Sequence, residues 1–267
     1  YAQTALTQLK ANKEATRKNA AGVPVYGVLK YELPKEDLIS EFTYAIGYLN
    51  FYAKKNEKAA LPYYYELSQS AGRYKKEPRV YATIGNYYIE QRRPVGEEIA
   101  KLIALQKDPK ETDEAKLARE TEIKNKIALF NGFSERALDA FGRAYTVAPS
   151  ATPADKTYRD GLYKTVQGLY EQRFEKKDGL ETYIASTVTK PMPNPTSDVT
   201  PVADPEPVKT TTTTSTATPE AAKPAAVVPT KPVSGSTNMV SAEPSVSTTA
   251  KAKAVVKKPV VKKKGTR

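Results

Sequence analysis

Apolar and small residues recur at helical spacing throughout residues 35–190, and no strict alternation of the kind a half-buried strand needs interrupts them. The clearest stripe lies in Glu135 to Pro149, where Ala137, Phe141 and Ala144 fall four and three residues apart and Pro149 closes the element. Two small residues flanking one ring let helix backbones approach closely on either side of it, so this helix is built to be packed against neighbours. Around it the pattern predicts further helices. Tyr1 to Ala20 reads as a helix with a shallow face of Ala5, Leu6 and Leu9, followed by a loop with an extended piece at Val23 to Val28. Pro34 with Glu36 and Asp37 opens a helix to about Lys54, because proline loses nothing at a first helical position and acids suit the positive end of the dipole. Glu57 to Ala71 pairs with it.

Glu77-Pro78 opens another helix, predicted to stop near Gln91 because Pro94 and Gly96 follow, with Glu97 to Gln106 as a separate element. Thr112 or Asp113 caps a helix to Asn131, Gly132 reads as a turn, and Ser134 caps the Ala137 helix. Thr152-Pro153-Ala154-Asp155 is a dense start signal, a capping hydroxyl with an acid three residues on. Asp178-Gly179 turns into a last helix, Leu180 to Thr189. The expected fold is all-α, a stack of antiparallel helix hairpins.

Composition changes the picture at residue 190. No aromatic residue follows, and 12 of the 20 prolines lie in the last 77 residues, so that stretch lacks the area to offset roughly 1–2 kcal/mol of backbone entropy per residue. The predicted organisation is an N-terminal helix and loop (1–34), a helical domain (35–190), a disordered Thr/Pro/Ala-rich linker (191–249) and a basic Lys-rich tail (250–267). The net charge of +12 divides evenly at that boundary, so the shorter C-terminal part is the more cationic per residue. Lys257, Lys258, Lys262, Lys263 and Lys264 stand there without an acid after Ala250, a pattern that attracts polyanions such as nucleic acid or an anionic cell-envelope polymer. A solvated, solubilising end is the alternative. The linker reads as a spacer, or as a glycosylated stalk if the protein is exported.

Chemistry narrows the function classes. With neither His nor Cys, the commonest general base, the thiol nucleophile and the imidazole and thiolate metal ligands are missing, and no phosphate-cradling glycine loop or nucleophile elbow occurs. A non-enzymatic protein without cofactor is expected. No apolar run approaches the ~20 residues that span a bilayer. The chain begins at Tyr1 and not Met, so a processed protein or a fragment is expected; the compartment stays open, with periplasm or cell envelope slightly favoured.

The Ala137, Phe141, Ala144, Pro149 spacing resembles the second helix of a tetratricopeptide repeat, and Tyr81, Ile84, Gly85, Tyr88 resembles the first. Ile46 and Gly47 with Ala59 fit the same frame, Gly47 and Gly85 being 38 residues apart against a regular period of roughly 34. Lys124-Asn125 and the reversed Gly161-Leu162 depart from the pattern, and an irregular helical domain is the alternative. The resemblance implies a peptide-binding concave face lined by the first helix of each pair. Projected onto this chain, that face carries Tyr44, Tyr48, Phe51 and Tyr52, then Asn86, then Arg159 with Tyr163. Tyrosine suits the role, offering a large rigid ring and one polar tip. Family members that clamp a terminal carboxylate use a lysine where Tyr44 and Ala82 stand here, so that mode is not expected. The implied partner is another protein or peptide.

Overall fold

A computed structural model describes residues 1–11, 17, 18, 20–22, 24, 25, 33–106 and 112–204. Within them the chain is all-helical except for an antiparallel ribbon of two-residue strands, β1 (Arg17–Lys18) with β2 (Pro24–Val25); β2 falls inside the extended piece expected at Val23 to Val28, whereas β1 lies inside the span predicted for the first helix, Tyr1 to Ala20. The helices are α1 (Ala2–Lys10), α2 (Lys35–Tyr48), α3 (Glu57–Gln69), α4 (Pro78–Leu105), α5 (Asp113–Val147), α6 (Pro153–Phe174) and α7 (Leu180–Thr189). None of the described helices is long and apolar enough to cross a membrane.

Local signals set most boundaries. Thr152 accepts from the Asp155 amide while the Asp155 carboxylate accepts from the Thr152 amide, a reciprocal cap that fixes the start of α6. Asn56 and Thr112 cap α3 and α5 by accepting from Ala59 and Ala115. At the end of α2 the backbone widens into a π-helical turn, Leu49–Ala53, with the Lys54 amide donating to the Leu49 carbonyl at 2.9 Å. A 3₁₀ turn, Arg73–Lys76, leads into α4.

Two expected breaks are absent, which corrects the element assignment. Pro94 and Gly96 lie inside α4, and Gly132 lies inside α5. Pro94 is on the exposed side, where water can satisfy the carbonyl its ring leaves without an amide partner, and the two helices lie against each other along their length. Gly132 is no turn residue. A Cβ there would stand 2.4 Å from the Thr200 carbonyl oxygen, so its bare backbone makes room for a later part of the chain.

The C-terminal half of α5 is the hub, packed against α4, α6 and α7. Ala137, Ala140, Phe141 and Ala144 are fully buried, as the stripe predicts. The Phe141 ring packs against the α4 backbone at Gly85, where an added Cβ would meet the ring at 2.6 Å. Farther along the hairpin, Arg92 of α4 is 5% exposed, its Nη1 donates to Ser134 Oγ at 3.2 Å, and its guanidinium lies over the Phe130 ring at 5.2 Å. No carboxylate among the described residues forms an ion pair with it, and burial alone lowers its pKa to about 10. Beyond this point the arm becomes exposed, ending in Leu105 and Leu117.

The boundary read at residue 190 also moves. Residues 191–204 run along α5 as a strap, with Met192 and Pro195 buried. The Val202 amide donates to the Ala128 carbonyl at 2.8 Å, Arg136 Nη1 to the Asn194 carbonyl at 3.4 Å, and Arg173 pairs with both Glu135 and Asp204. Composition registered the missing aromatics but not the donors waiting on α5. The rest of the expected linker (205–249) and the basic tail, with Lys257, Lys258, Lys262, Lys263 and Lys264, lie outside the described residues, as do the predicted turn at 107–111 and residues 12–16 of the first predicted helix.

Candidate functional site

Tyr44, Tyr48 and Tyr52 follow one another at four-residue spacing, and the structure keeps them in one ladder. The Tyr44 and Tyr48 rings are 6.5 Å apart at 25°, and Tyr48 and Tyr52 are 4.9 Å apart at 39°. The ladder runs into the π-helical turn, which adds a residue to one turn of the helix, a feature that occurs often at functional sites. Asn50, in the same turn, is buried and donates its side-chain amide to the Ile46 carbonyl at 3.0 Å.

Neighbouring elements extend the ladder into a face. Tyr74, from the 3₁₀ turn, stacks on Tyr44 at 4.8 Å and 20°. Its hydroxyl donates to Glu41 at 2.8 Å and accepts from Arg73, whose guanidinium also pairs with Glu41. From α4, Thr83 meets the Tyr52 hydroxyl at 3.2 Å while donating to the Arg79 carbonyl. Tyr44, Arg73, Tyr74, Glu77 and Arg79 enclose a shallow cleft of about 230 Å³. From α6, Tyr158 comes within electrostatic reach of Arg79, Glu77, Tyr52 and Tyr44. Burial is the leading cause of the raised phenol pKa of Tyr44, Tyr74 and Tyr158, so all three stay neutral and keep a proton to donate. Beneath the ladder, Tyr64 of α3 meets Tyr44 and Phe51 edge to face at 6.2 Å each.

The other predicted site residues are placed differently. Phe51 is 4% exposed and turned into the core against Tyr64, so it does not line a surface. Asn86 is buried as well: residues 81–86 of α4 are all buried, which means that the helix is enclosed around its circumference there and presents no outer face. Arg159 and Tyr163 face α5 instead of the ladder. The Arg159 guanidinium lies 4.4 Å over the Tyr145 ring and donates to the Ala148 carbonyl at 2.7 Å, and Tyr163 packs on Tyr145 at 5.3 Å. Tyr158, one residue before Arg159, is the α6 ring that comes within electrostatic reach of Tyr44 and Tyr52. Tyr74, Arg73 and Arg79 were missed altogether. The Tyr74-to-Arg79 stretch leads into a helix without lying on its apolar stripe, so periodicity gave no sign of it.

The face thus brings together stacked neutral rings, two arginines and two carboxylates around a shallow cleft. Comparisons of the chain with protein-family models, with curated proteins and with solved structures find no match.

Proposed function

We propose that the chain is a non-enzymatic scaffold that binds another protein or peptide on the face formed by α2, the start of α4 and the start of α6. In this reading α2/α3, α4/α5 and α6/α7 are degenerate tetratricopeptide-like hairpins, the middle one drawn out into an arm. The observation that carries the proposal is the ladder of half-buried rings Tyr44, Tyr48 and Tyr52, with the buried Tyr74 stacked on its first ring from the 3₁₀ turn. Pre-ordered aromatic rings lose little conformational freedom on docking, which is why such residues dominate binding energy at interfaces. Gly85 against Phe141 and Gly47 close to Tyr63 support the repeat reading, since small residues at helix crossings are what it requires. The seating of α7 on α5 departs from a regular repeat.

The test is capture of the partner from the producing cell by the full chain, with cross-linking, compared among variants. Tyr48→Ala is expected to lower capture at least about tenfold, the loss of one hot-spot ring. Tyr163→Ala, on the other seam, is expected to leave it unchanged. The reverse pattern would overturn the assignment of the face.

A second reading is favoured by the acid-free cluster after Ala250: polyanion binding through the Lys-rich end, as an electrostatic anchor beside the docking face or as the main activity. Its mark is a steep fall of affinity for double-stranded DNA with salt. Deleting residues 250–267 is expected to abolish that binding while partner capture persists. Loss of both would make the tail the principal module.

A further inference from the structure

The strap over α5 lies in a site cut to its shape. Gly132 forms a notch: a Cβ there would stand 2.4 Å from the Thr200 carbonyl oxygen and 2.9 Å from Val199 Cγ1. Beside the notch the backbone of Val202 is bound on both sides. Its amide donates to the Ala128 carbonyl at 2.8 Å, and its carbonyl accepts from Asn131 Nδ2 at 3.2 Å. The same Asn131 amide reaches the Asp204 carboxylate at 3.1 Å, where Arg173 Nη1 also donates at 2.6 Å. Asn131 is 7% exposed, and the Arg173 guanidinium is already oriented by Glu135, which accepts from Nε at 3.0 Å. Arg136 donates to the Asn194 carbonyl and to Ser197 Oγ. Met192 and Pro195 are buried and Val199 is half-buried, so three apolar anchors are interleaved with the polar contacts. Donors held on rigid helices, a bare-backbone notch and spaced apolar seats are the means by which a protein recognises an extended peptide.

We infer that this groove is a recognition site for an extended, proline-containing segment that ends in a carboxylate, and that the strap of a second copy of the chain fills it as the chain's own strap does. The groove binds the segment and not the link to it. Its side-chain hydrogen bonds join residues 58 to 73 positions apart, so none of them depends on which copy supplies the strap. The strap is also shaped before it docks. Asn194 Oδ1 accepts from the Thr196 amide at 2.9 Å and from its hydroxyl at 2.8 Å, and the Asn194 carbonyl accepts from the Ser197 amide at 3.1 Å. The link to the body is Lys190, whose carbonyl Arg143 holds at 2.7 Å. Its backbone is extended, at φ −96° and ψ 152°, as suits a residue before proline, so no tight turn commits the strap to its own body. The strap can leave without breaking a helix, and its departure uncovers the seats of Met192, Pro195 and Val199, which favours a new occupant over an empty groove. A second copy carries the matching segment, and exchange of an identical element is a low-cost route to a dimer. The tether gives the chain's own strap an effective concentration on the order of millimolar, so exchange is expected at high protein concentration.

The experiment uses two full chains, each with one half of the contact removed. Gly132→Val blocks the groove and keeps the strap, whereas Val199→Ser with Asp204→Ala weakens the strap and keeps the groove. Each alone is expected to sediment as a monomer, and an equimolar mixture as a one-to-one pair. A labelled peptide of residues 191–204 is expected to bind the strap-weakened chain at least about tenfold more tightly than the wild type, where the tethered strap competes. Adding Gly132→Val to the strap-weakened chain is expected to remove that binding. A peptide carrying Asp204→Ala is expected to bind about tenfold more weakly, having lost its charge-assisted bonds to Arg173 and Asn131. Gly132→Ala replaces the valine variant if that one fails to fold, since alanine is the better helix former and acts against the strap alone. Peptide binding that is equal in the wild type and the strap-weakened chain, or that survives the blocked groove, would overturn the inference. So would a mixture that stays monomeric at every concentration.

Discussion

The two ends of the α4–α5 hairpin use the same secondary structure for opposite purposes. At the body end, Gly85 and Phe141 meet at closest approach and every residue from Tyr81 to Asn86 is buried. At the arm end, Leu105 and Leu117 are exposed, and the helices hold together through Ile123, partly buried Leu102 and Ile103, and surface pairs such as Lys126 with Glu98 at 2.5 Å. The difference teaches that helix continuity does not report stability. The arm is helical because it is paired and capped, whereas the body is helical because it is enclosed, and substitutions should separate the two.

The largest contrast is between two apolar side chains of α5. Phe141→Ala is expected to cost about 3–5 kcal/mol in a denaturant melt, the range for emptying a ring-sized site, and Leu117→Ala less than about 0.5 kcal/mol. A cost at Leu117 comparable to that at Phe141 would show that the arm is covered in solution.

Alkaline pH breaks the comparison from another side, because no tyrosine lies between Arg92 and Asn131. Burial raises the phenol of Tyr88 to about 12, with Arg136 opposing the shift. The folded state therefore holds this proton more tightly than the unfolded chain does. The stabilisation is complete below the unfolded value of about 10 and is lost as pH rises through about 12, a difference of roughly 2.7 kcal/mol for this group. Phenolate absorbance and helical circular dichroism are expected to change together above pH 10. Hydrogen exchange there should rise first in the body.

A pair of glycines gives the next effect. Gly85→Ala is expected to destabilise by about 1–3 kcal/mol through its clash with Phe141, with part of the loss recovered in the Gly85→Ala, Phe141→Leu double variant. Gly96→Ala places its Cβ 3.3 Å from the half-buried ring of Phe130, which has room to shift, so the better helix propensity should leave stability unchanged or raise it by up to about 1 kcal/mol. The smallest of these contrasts is a single substitution at the junction of the two ends, where a gain and not a loss is expected. Arg92→Met removes a buried charge that no carboxylate among the described residues balances, and Ser134 stays satisfied by donating to the Phe130 carbonyl at 2.8 Å, so a gain of about 1 kcal/mol is expected. A loss would mean that the guanidinium has a role beyond packing.

What was legible in the sequence follows the same division. The cap of α6 could be read from Thr152, Pro153 and Asp155, and the α5 stripe from Ala137, Phe141 and Ala144, because each depends on neighbours in sequence. The continuity of α4 through Pro94 was not legible, since it depends on a partner helix dozens of residues away. The strap after residue 190 was hidden for a related reason. Its hold comes from arginine and asparagine donors and from the bare backbone at Gly132, none of which an apolar count detects. At the candidate site the ladder could be read from its four-residue spacing, and its flanks could not. Phe51 and Asn86 lie on predicted outward positions that neighbouring helices cover, while Tyr74 and Arg79 arrive from a turn and a helix start that periodicity does not describe.

The account stands on the tyrosine face being the docking surface, and radical footprinting of the full chain reads that face directly. With mass-spectrometric detection, tyrosine labelling is compared before and after the captured partner is added. Protection concentrated at Tyr44, Tyr48 and Tyr52, with Tyr1 and Tyr163 unchanged, is the predicted result. Unaltered labelling of the ladder in a complex that protects Tyr163 or the Leu117 end of the arm would contradict it.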